Sequence, residues 1–102
     1  MSAYTIPLPP GADPKWTDAW EVVDGVPLRQ VWSEPMPVPA KFGVDVRVVC
    51  TQTGDGQIVT DDPDEAVAIH WCDTGYSPAI AREVAAAISK AADLAELWEG
   101  QR

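Results

Sequence analysis

The side chains best suited to metal binding or nucleophilic chemistry are Cys50, His70 and Cys72, and two of them fall within the stretch AIHWCDTGYSPAIAREV (68–84). The chain has one histidine and two cysteines. A structural zinc site takes four Cys or His ligands. Alternation along the predicted strands places Cys50 on the face opposite His70 and Cys72. We therefore expect no zinc site, no Cys50–Cys72 disulfide, and a buried, unreactive Cys50.

Nucleophilic catalysis by a Cys–His pair is the second chemistry that this stretch suggests. His70 and Cys72 are two residues apart and share a strand face, but such a pair needs a third group to orient the imidazole. Asp73 points to the other face if the strand continues. Ser77 is better placed to cap a helix than to join His70 and Asp73 in a triad. We expect no catalytic residues, no cofactor and no enzymatic activity.

Acidic residues outnumber basic ones by 16 to 7, which gives a formal net charge of −9. This balance argues against direct binding to nucleic acid or to an anionic membrane. No Lys or Arg occurs between Val48 and Ala81. This absence of bases indicates either a solvated acidic face or a binding surface for a basic partner. A calcium site is a weaker alternative, because the twelve-residue EF-hand pattern is absent. The acids of this region are Asp55, Asp61, Asp62, Asp64, Glu65 and Asp73.

Tryptophan is unusually frequent, with five residues in a chain of 102. A core of this size cannot easily bury all five indoles. We expect Trp71 and Trp98 to anchor the core. Trp16, Trp20 and Trp32 are candidates for exposed anchors at a protein interface, where tryptophan is enriched.

The arrangement of apolar residues predicts an α+β fold, in which an antiparallel sheet of four to five strands packs on one C-terminal helix. The segment VDVRVVCTQ alternates as a strand does, and Asp24-Gly25 between two apolar runs predicts a tight hairpin. Proline-rich residues 1–15 are expected to form an extended N-terminal arm beside a single domain over 16–102. The predicted strands are 19–23, 26–33, 43–52, 57–60 and 66–72.

The helix is predicted over 77–98. Ser77 suits the N-cap, Pro78 the first turn and Gly100 the stop. An apolar stripe that includes Val84 and Trp98 predicts packing on the Val46–Val48–Cys50 face of the sheet. The abundant alanines fit close packing on this sheet or a helix–helix dimer. One helix covers one face, so the N-terminal arm with Trp16 or Trp20, or a second subunit, is expected on the other.

The first residues, MSAYTIPLPPGADPKW, have neither the basic region nor the apolar run of a signal peptide. No apolar stretch approaches the ~20 residues that span a bilayer. We therefore expect a cytoplasmic protein with reduced thiols and no membrane partner.

Residues from about 42 to 99 resemble small proteins of actinobacteria and their phages that have no assigned function. In those proteins a short sheet with a Q-x-x-D-G-x turn precedes a helix that opens with Ser or Thr, Pro and then Ala-Arg. The resemblance implies a fold and a source, but no active site, and it leaves out the N-terminal hairpin and proline segment. The matching residues are Gln52, Asp55, Gly56, Ser77, Pro78, Ala81, Arg82, Ile88, Ala91, Ala92 and Asp93.

Two functions follow as expectations. The first is a small, non-enzymatic, phage-encoded interaction protein that binds a bacterial host protein, with a homodimer as a further possibility. The second is an acidic nucleic-acid mimic that occupies a basic DNA- or RNA-binding protein. The residues expected to contact a partner are Trp16, Trp20, Trp32, Asp61, Asp62, Asp64 and Glu65.

Overall fold

The computed structural model of the chain describes residues 6–36, 45–62, 64–71 and 77–100. This part of the chain forms one antiparallel sheet of four strands, in the order β1-β2-β3-β4, followed by one helix, α1. The predicted α+β fold is therefore confirmed, with four strands. The elements are β1 (Glu21–Val23), β2 (Val26–Trp32), β3 (Arg47–Thr53), β4 (Ala68–His70) and α1 (Pro78–Glu99).

The hairpin between β1 and β2 turns at Asp24 and Gly25, as predicted. Their φ angles are 51° and 78°, so both residues occupy the left-handed region that a type I′ turn requires. Pro27 pairs with Val22 in β1, and the pairing of β2 with β3 begins one residue later, at Leu28. Proline, which has no N–H, is tolerated at this position because it lies before the first residue pair between β2 and β3.

The predicted strand at 57–60 is wrong. Ile58 makes a single isolated bridge to Gln52, although the Val59 N–H also donates to the Thr51 carbonyl. The chain then leaves the edge of β3 and returns to it as β4, which pairs only with the first half of that strand. Buried Ile58 thus belongs to the core without belonging to a regular strand.

The core lies between the sheet and α1. The face of β3 that carries Val48 and Cys50, continued by Val46 just before the strand, packs against the helix, where Trp98 is fully buried. This agrees with the predicted face and with the predicted role of Trp98. The prediction for Trp71 is wrong, because its side chain is 46% exposed. Strand β4 ends at His70, so its alternation does not continue far enough to direct the next residue into the core.

The helix spans Pro78–Glu99, one residue later at each end than the predicted 77–98, and Ser77 and Gly100 flank it as predicted. The Ser77 hydroxyl accepts a hydrogen bond from the Ile80 N–H (3.3 Å), and Pro78 occupies the first turn. Gly100 follows the last helical residue and donates its N–H to helical carbonyls. Ala87 and Ala91 are buried against the sheet, and their small side chains allow the helix backbone to approach it closely.

The described part of the N-terminal arm lies along the helix side of the sheet. Leu8 and Ala12 pack against the core, and the Trp98 indole N–H donates to the Pro10 carbonyl (2.7 Å). Ala12 also bridges to Ser33, just beyond the end of β2. The arm is thus tied both to the helix and to the sheet. Within the described residues, no helix is long and apolar enough to cross a membrane.

Candidate functional site

The face of the sheet opposite α1, here called the helix-free face, carries polar and aromatic side chains. The strand register places Trp32 beside Val49, and Arg47 beside His70. Arg47, Val49 and Thr51 of the central strand are only 6%, 8% and 5% exposed. Since α1, the helix of the described residues, lies on the other face, neighbouring side chains of the same chain must exclude the water.

Three aromatic rings extend across one side of this face and are called the aromatic row. The rings of Trp16 and Trp32 meet edge to face with centroids 6.1 Å apart. Those of Trp32 and His70 meet in the same way at 5.3 Å. Edge-to-face contacts are a favoured geometry for aromatic pairs. Trp16, at the end of the row, remains 49% exposed.

Arg47 holds Trp16 in place. Its guanidinium carbon lies 3.8 Å from the centre of the Trp16 ring, and its Nη1 donates to the Ser33 carbonyl (2.9 Å) and to Asp13 (3.3 Å). A second carboxylate, that of Asp45, lies 3.6 Å from Nη2. Asp13 and Trp16 belong to the segment that leads into β1. Of the coverings expected for the second face, Trp16 is found there, whereas Trp20 and the described arm residues Leu8 to Ala12 lie on the helix side.

Trp20 does not join the aromatic row. The Arg29 guanidinium lies over its ring, 4.4 Å from the centre. The Arg29 Nε donates to the Gln52 side chain and Nη2 donates to the Ile6 carbonyl, each at 2.9 Å. Gln52 and Arg29 belong to the face that carries Cys50. The predicted tryptophan set is thus divided, with Trp16 and Trp32 on one face and the half-buried Trp20 beside Arg29.

Two adjoining hollows of about 270 and 200 Å³ open on the helix-free face and share Gln30, Thr51 and Glu65. The first reaches Asp18 and Glu21 at the β1 side of the sheet. The second reaches Asp64 and His70, so it adjoins the aromatic row. The two together are called the acidic groove. Its four carboxylates are those of Asp18, Glu21, Asp64 and Glu65.

The predicted acidic partner residues are also divided by the fold. Glu65 accepts a hydrogen bond from the Thr51 hydroxyl, which fixes it over the sheet. Asp62 shapes the preceding turn, because its side chain accepts from the Asp64 N–H (3.0 Å) and its carbonyl from the Glu65 N–H (3.0 Å). Asp61 and Asp62 are exposed and lie outside the lining of the groove.

Sequence reasoning missed Asp18 and Glu21 as members of this site. Glu21 faces the same side as Gln30 because it pairs with Leu28 across the hairpin. The Asp18 N–H donates to the Gln30 carbonyl, which holds its chain segment beside β2. The hairpin register could have placed Glu21 on this face, but the approach of Glu65 depends on a loop more than 40 residues away.

The four groove carboxylates have no described cationic partner. The ion pairs found among the described residues both belong to Arg47. Arg29 contributes to the lining of the first hollow, yet its guanidinium contacts Gln52 and the Ile6 carbonyl on the helix side. The groove therefore concentrates negative charge that the described residues leave unneutralised.

The residues considered for metal or nucleophilic chemistry are separated. Cys50 is buried on the helix side of the sheet, whereas His70 lies on the helix-free face. Burial raises the pKa of the Cys50 thiol to about 12, and nearby Arg29 offsets only part of this rise. Cys72 and Asp73 lie outside the described residues. Among the residues that the structure describes, no three His, Cys, Asp or Glu side chains are grouped as metal ligands.

Asp55 is the remaining described acid of the stretch between Val48 and Ala81 that contains no Lys or Arg. It has a local structural role. Its carboxylate accepts hydrogen bonds from the Thr53 hydroxyl and from the Gln57 N–H. These bonds favour the charged form and lower the pKa of Asp55. The carboxylate thus organises the turn after β3 and is not part of the lining of the acidic groove.

Comparison of the chain with protein-family models, curated proteins and solved structures finds no match.

Proposed function

We propose that this chain is a small, non-enzymatic interaction protein whose helix-free face binds another protein. The aromatic row beside the acidic groove is the observation that carries this proposal. Following the resemblance to small actinobacterial and phage proteins, we further propose that the chain is phage-encoded and that its partner is a bacterial host protein. The contacts below support the binding face independently of that source.

Trp16 has the properties of an interface anchor. Its indole is half exposed, yet Arg47 and Trp32 hold its orientation. An aromatic side chain fixed before binding loses little conformational entropy when a partner covers it. Tryptophan also dominates the energetics of many protein interfaces. Trp16 therefore combines exposed apolar area with pre-organisation.

The test is affinity capture from an actinobacterial lysate, with mass spectrometry of the retained proteins at low and high salt. We expect wild-type protein to retain a specific partner at both salt concentrations and Trp16→Ala to lose it. Trp71→Ala is a matched control, because Trp71 is exposed to nearly the same extent (46% against 49%) and lies outside the aromatic row. Equal retention by all three proteins would contradict the proposed binding face.

An acidic nucleic-acid mimic is a second candidate function, favoured by the exposed turn at 61–65. Its carboxylates at Asp61, Asp62 and Asp64 are exposed, and no Lys or Arg occurs between Val48 and Ala81. Such a mimic would bind a basic DNA- or RNA-binding protein, and salt would weaken the complex steeply. Asp61→Asn, which leaves the turn hydrogen bonds intact, should then weaken capture, whereas Trp16→Ala should not.

A further inference from the structure

We infer that the acidic groove receives an arginine or lysine side chain from an extended, basic segment of the partner protein. This inference rests on the proposed function and names the chemistry of the partner. It is carried by three features of the helix-free face: a set of carboxylates with no cationic partner among the described residues, apolar surface that suits an aliphatic stem, and an adjoining aromatic row.

Charge is the first feature. Glu21 belongs to β1 and Glu65 to the turn before β4, and both line the first hollow, which also reaches Asp18. The described arginines nearby are engaged elsewhere, Arg29 on the helix side and Arg47 with Asp13. Bringing several carboxylates together without a counter-charge is unfavourable, so a cation entering the groove gains attraction to all of them.

Shape and hydrogen-bonding capacity are the second feature. Val23 and Leu28 provide apolar surface in the first hollow, against which the methylene stem of Lys or Arg can pack. Glu65 accepts one bond from Thr51, but a carboxylate has about four acceptor sites. A guanidinium presents several donors in a planar fork, which makes arginine the better occupant of a site with carboxylates on two sides.

The aromatic row is the third feature. His70 lines the second hollow and contacts Trp32, so aromatic faces begin where the carboxylates end. Arginine and lysine pack favourably against such faces. The same molecule already shows this preference, since Arg47 lies over Trp16 and Arg29 over Trp20.

The net charge of the chain indicates which class of partner can enter the acidic groove. A second copy of this chain also carries −9, so its approach to an acidic groove is opposed. A nucleic acid or an anionic membrane is repelled for the same reason. A basic protein segment complements both the groove and the whole molecule. An extended segment, with side chains alternating in direction, suits adjoining hollows that open along one face of a sheet.

The experiment measures binding of a short fluorescent peptide in which arginine alternates with threonine, and of a matched peptide with glutamine in place of arginine. We expect the arginine peptide alone to bind wild-type protein. Glu21→Gln combined with Glu65→Gln should weaken binding roughly tenfold, because two charge-assisted contacts lose their charge. The substituted glutamine at 65 can still accept from Thr51, so the fold is retained.

The control combines Glu83→Gln with Glu96→Gln, which removes the same charge from exposed positions on α1. We expect this variant to bind as wild type does. Equal weakening of both variants would show that only net charge matters and would overturn the groove. Failure of the arginine peptide to bind, with Trp16-dependent capture of a partner intact, would overturn this inference and leave the proposed function standing. If the arginine peptide does not bind and no partner is captured through Trp16, both this inference and the proposed function are overturned.

Discussion

Burial decides the reactivity of Cys50. Its thiol lies in the core, and its pKa is raised to about 12, so the thiolate is absent at neutral pH. In the Cys72→Ser variant, where Cys50 is the only thiol, we predict very slow reaction with Ellman's reagent until the protein is unfolded. Full labelling within seconds in native buffer would contradict the buried position.

The same pKa shift predicts a loss of stability in alkali. The unfolded thiol ionises near its ordinary pKa of 9.0, whereas the folded thiol ionises only near 12. Below pH 9 the Cys50 thiol holds its proton in both the folded and the unfolded state, so ionisation of the thiol takes nothing from the stability. Between about pH 9 and 12 the unfolded state loses this proton more readily, so the free energy of unfolding falls progressively. Urea unfolding of wild type should therefore lose stability more steeply between about pH 9 and 11 than Cys50→Ala does. The same pH dependence of the free energy of unfolding in wild type and Cys50→Ala would contradict the raised pKa of Cys50.

Trp98 joins the N-terminal arm to the core through one hydrogen bond. Trp98→Phe leaves the Pro10 carbonyl without the indole donor and also leaves a cavity, because Trp98 is fully buried. We predict a loss of about 2–4 kcal/mol in the free energy of unfolding from the two effects together. The control, Trp71→Phe, alters an exposed indole and should change stability by less than about 0.5 kcal/mol. Similar losses in the two variants would contradict the buried, hydrogen-bonded position of Trp98.

At the scale of elements, local sequence patterns predict the secondary structure correctly wherever a single stretch of chain determines it. The Asp24-Gly25 hairpin, the alternation along β3 and the Ser77–Pro78 helix start were all predicted correctly. The strand at 57–60 was not, because its alternation could not show that the chain leaves β3 after Val59. Trp71 failed for a related reason, since the strand that should direct it inward ends one residue earlier.

Ser77 sets the first residue of α1, and its contribution can be isolated. Ser77→Ala removes the acceptor of the Ile80 N–H, and we predict a loss of about 1 kcal/mol in the free energy of unfolding. Ser89→Ala changes an exposed serine within the same helix and should be neutral or stabilising by about 0.5 kcal/mol, because alanine is the better helix former. Equal effects would mean that helix propensity, and not capping, dominates at Ser77.

At the scale of the whole molecule, the candidate site was only partly predictable. Trp16, Trp32, Asp64 and Glu65 were identified from residue type and charge, and the fold places them on one face. Glu21 was missed because the groove exists only where Glu21 and Glu65 line the same hollow, and Glu65 comes from a turn distant in the sequence. Sequence patterns reveal which face a residue occupies within its own strand. They do not reveal which loops will approach that face.

The packing of the helix-free face leads to a prediction about oligomeric state. A second subunit was one expected way to cover this face, but Arg47, Val49 and Thr51 are already shielded within one chain. The remaining exposed groove is acidic, and two copies would repel each other there. We therefore predict a monomer by light scattering coupled to gel filtration, at low and at high salt. A dimer that Trp16→Ala dissociates would contradict this prediction and would make the aromatic row a self-association surface.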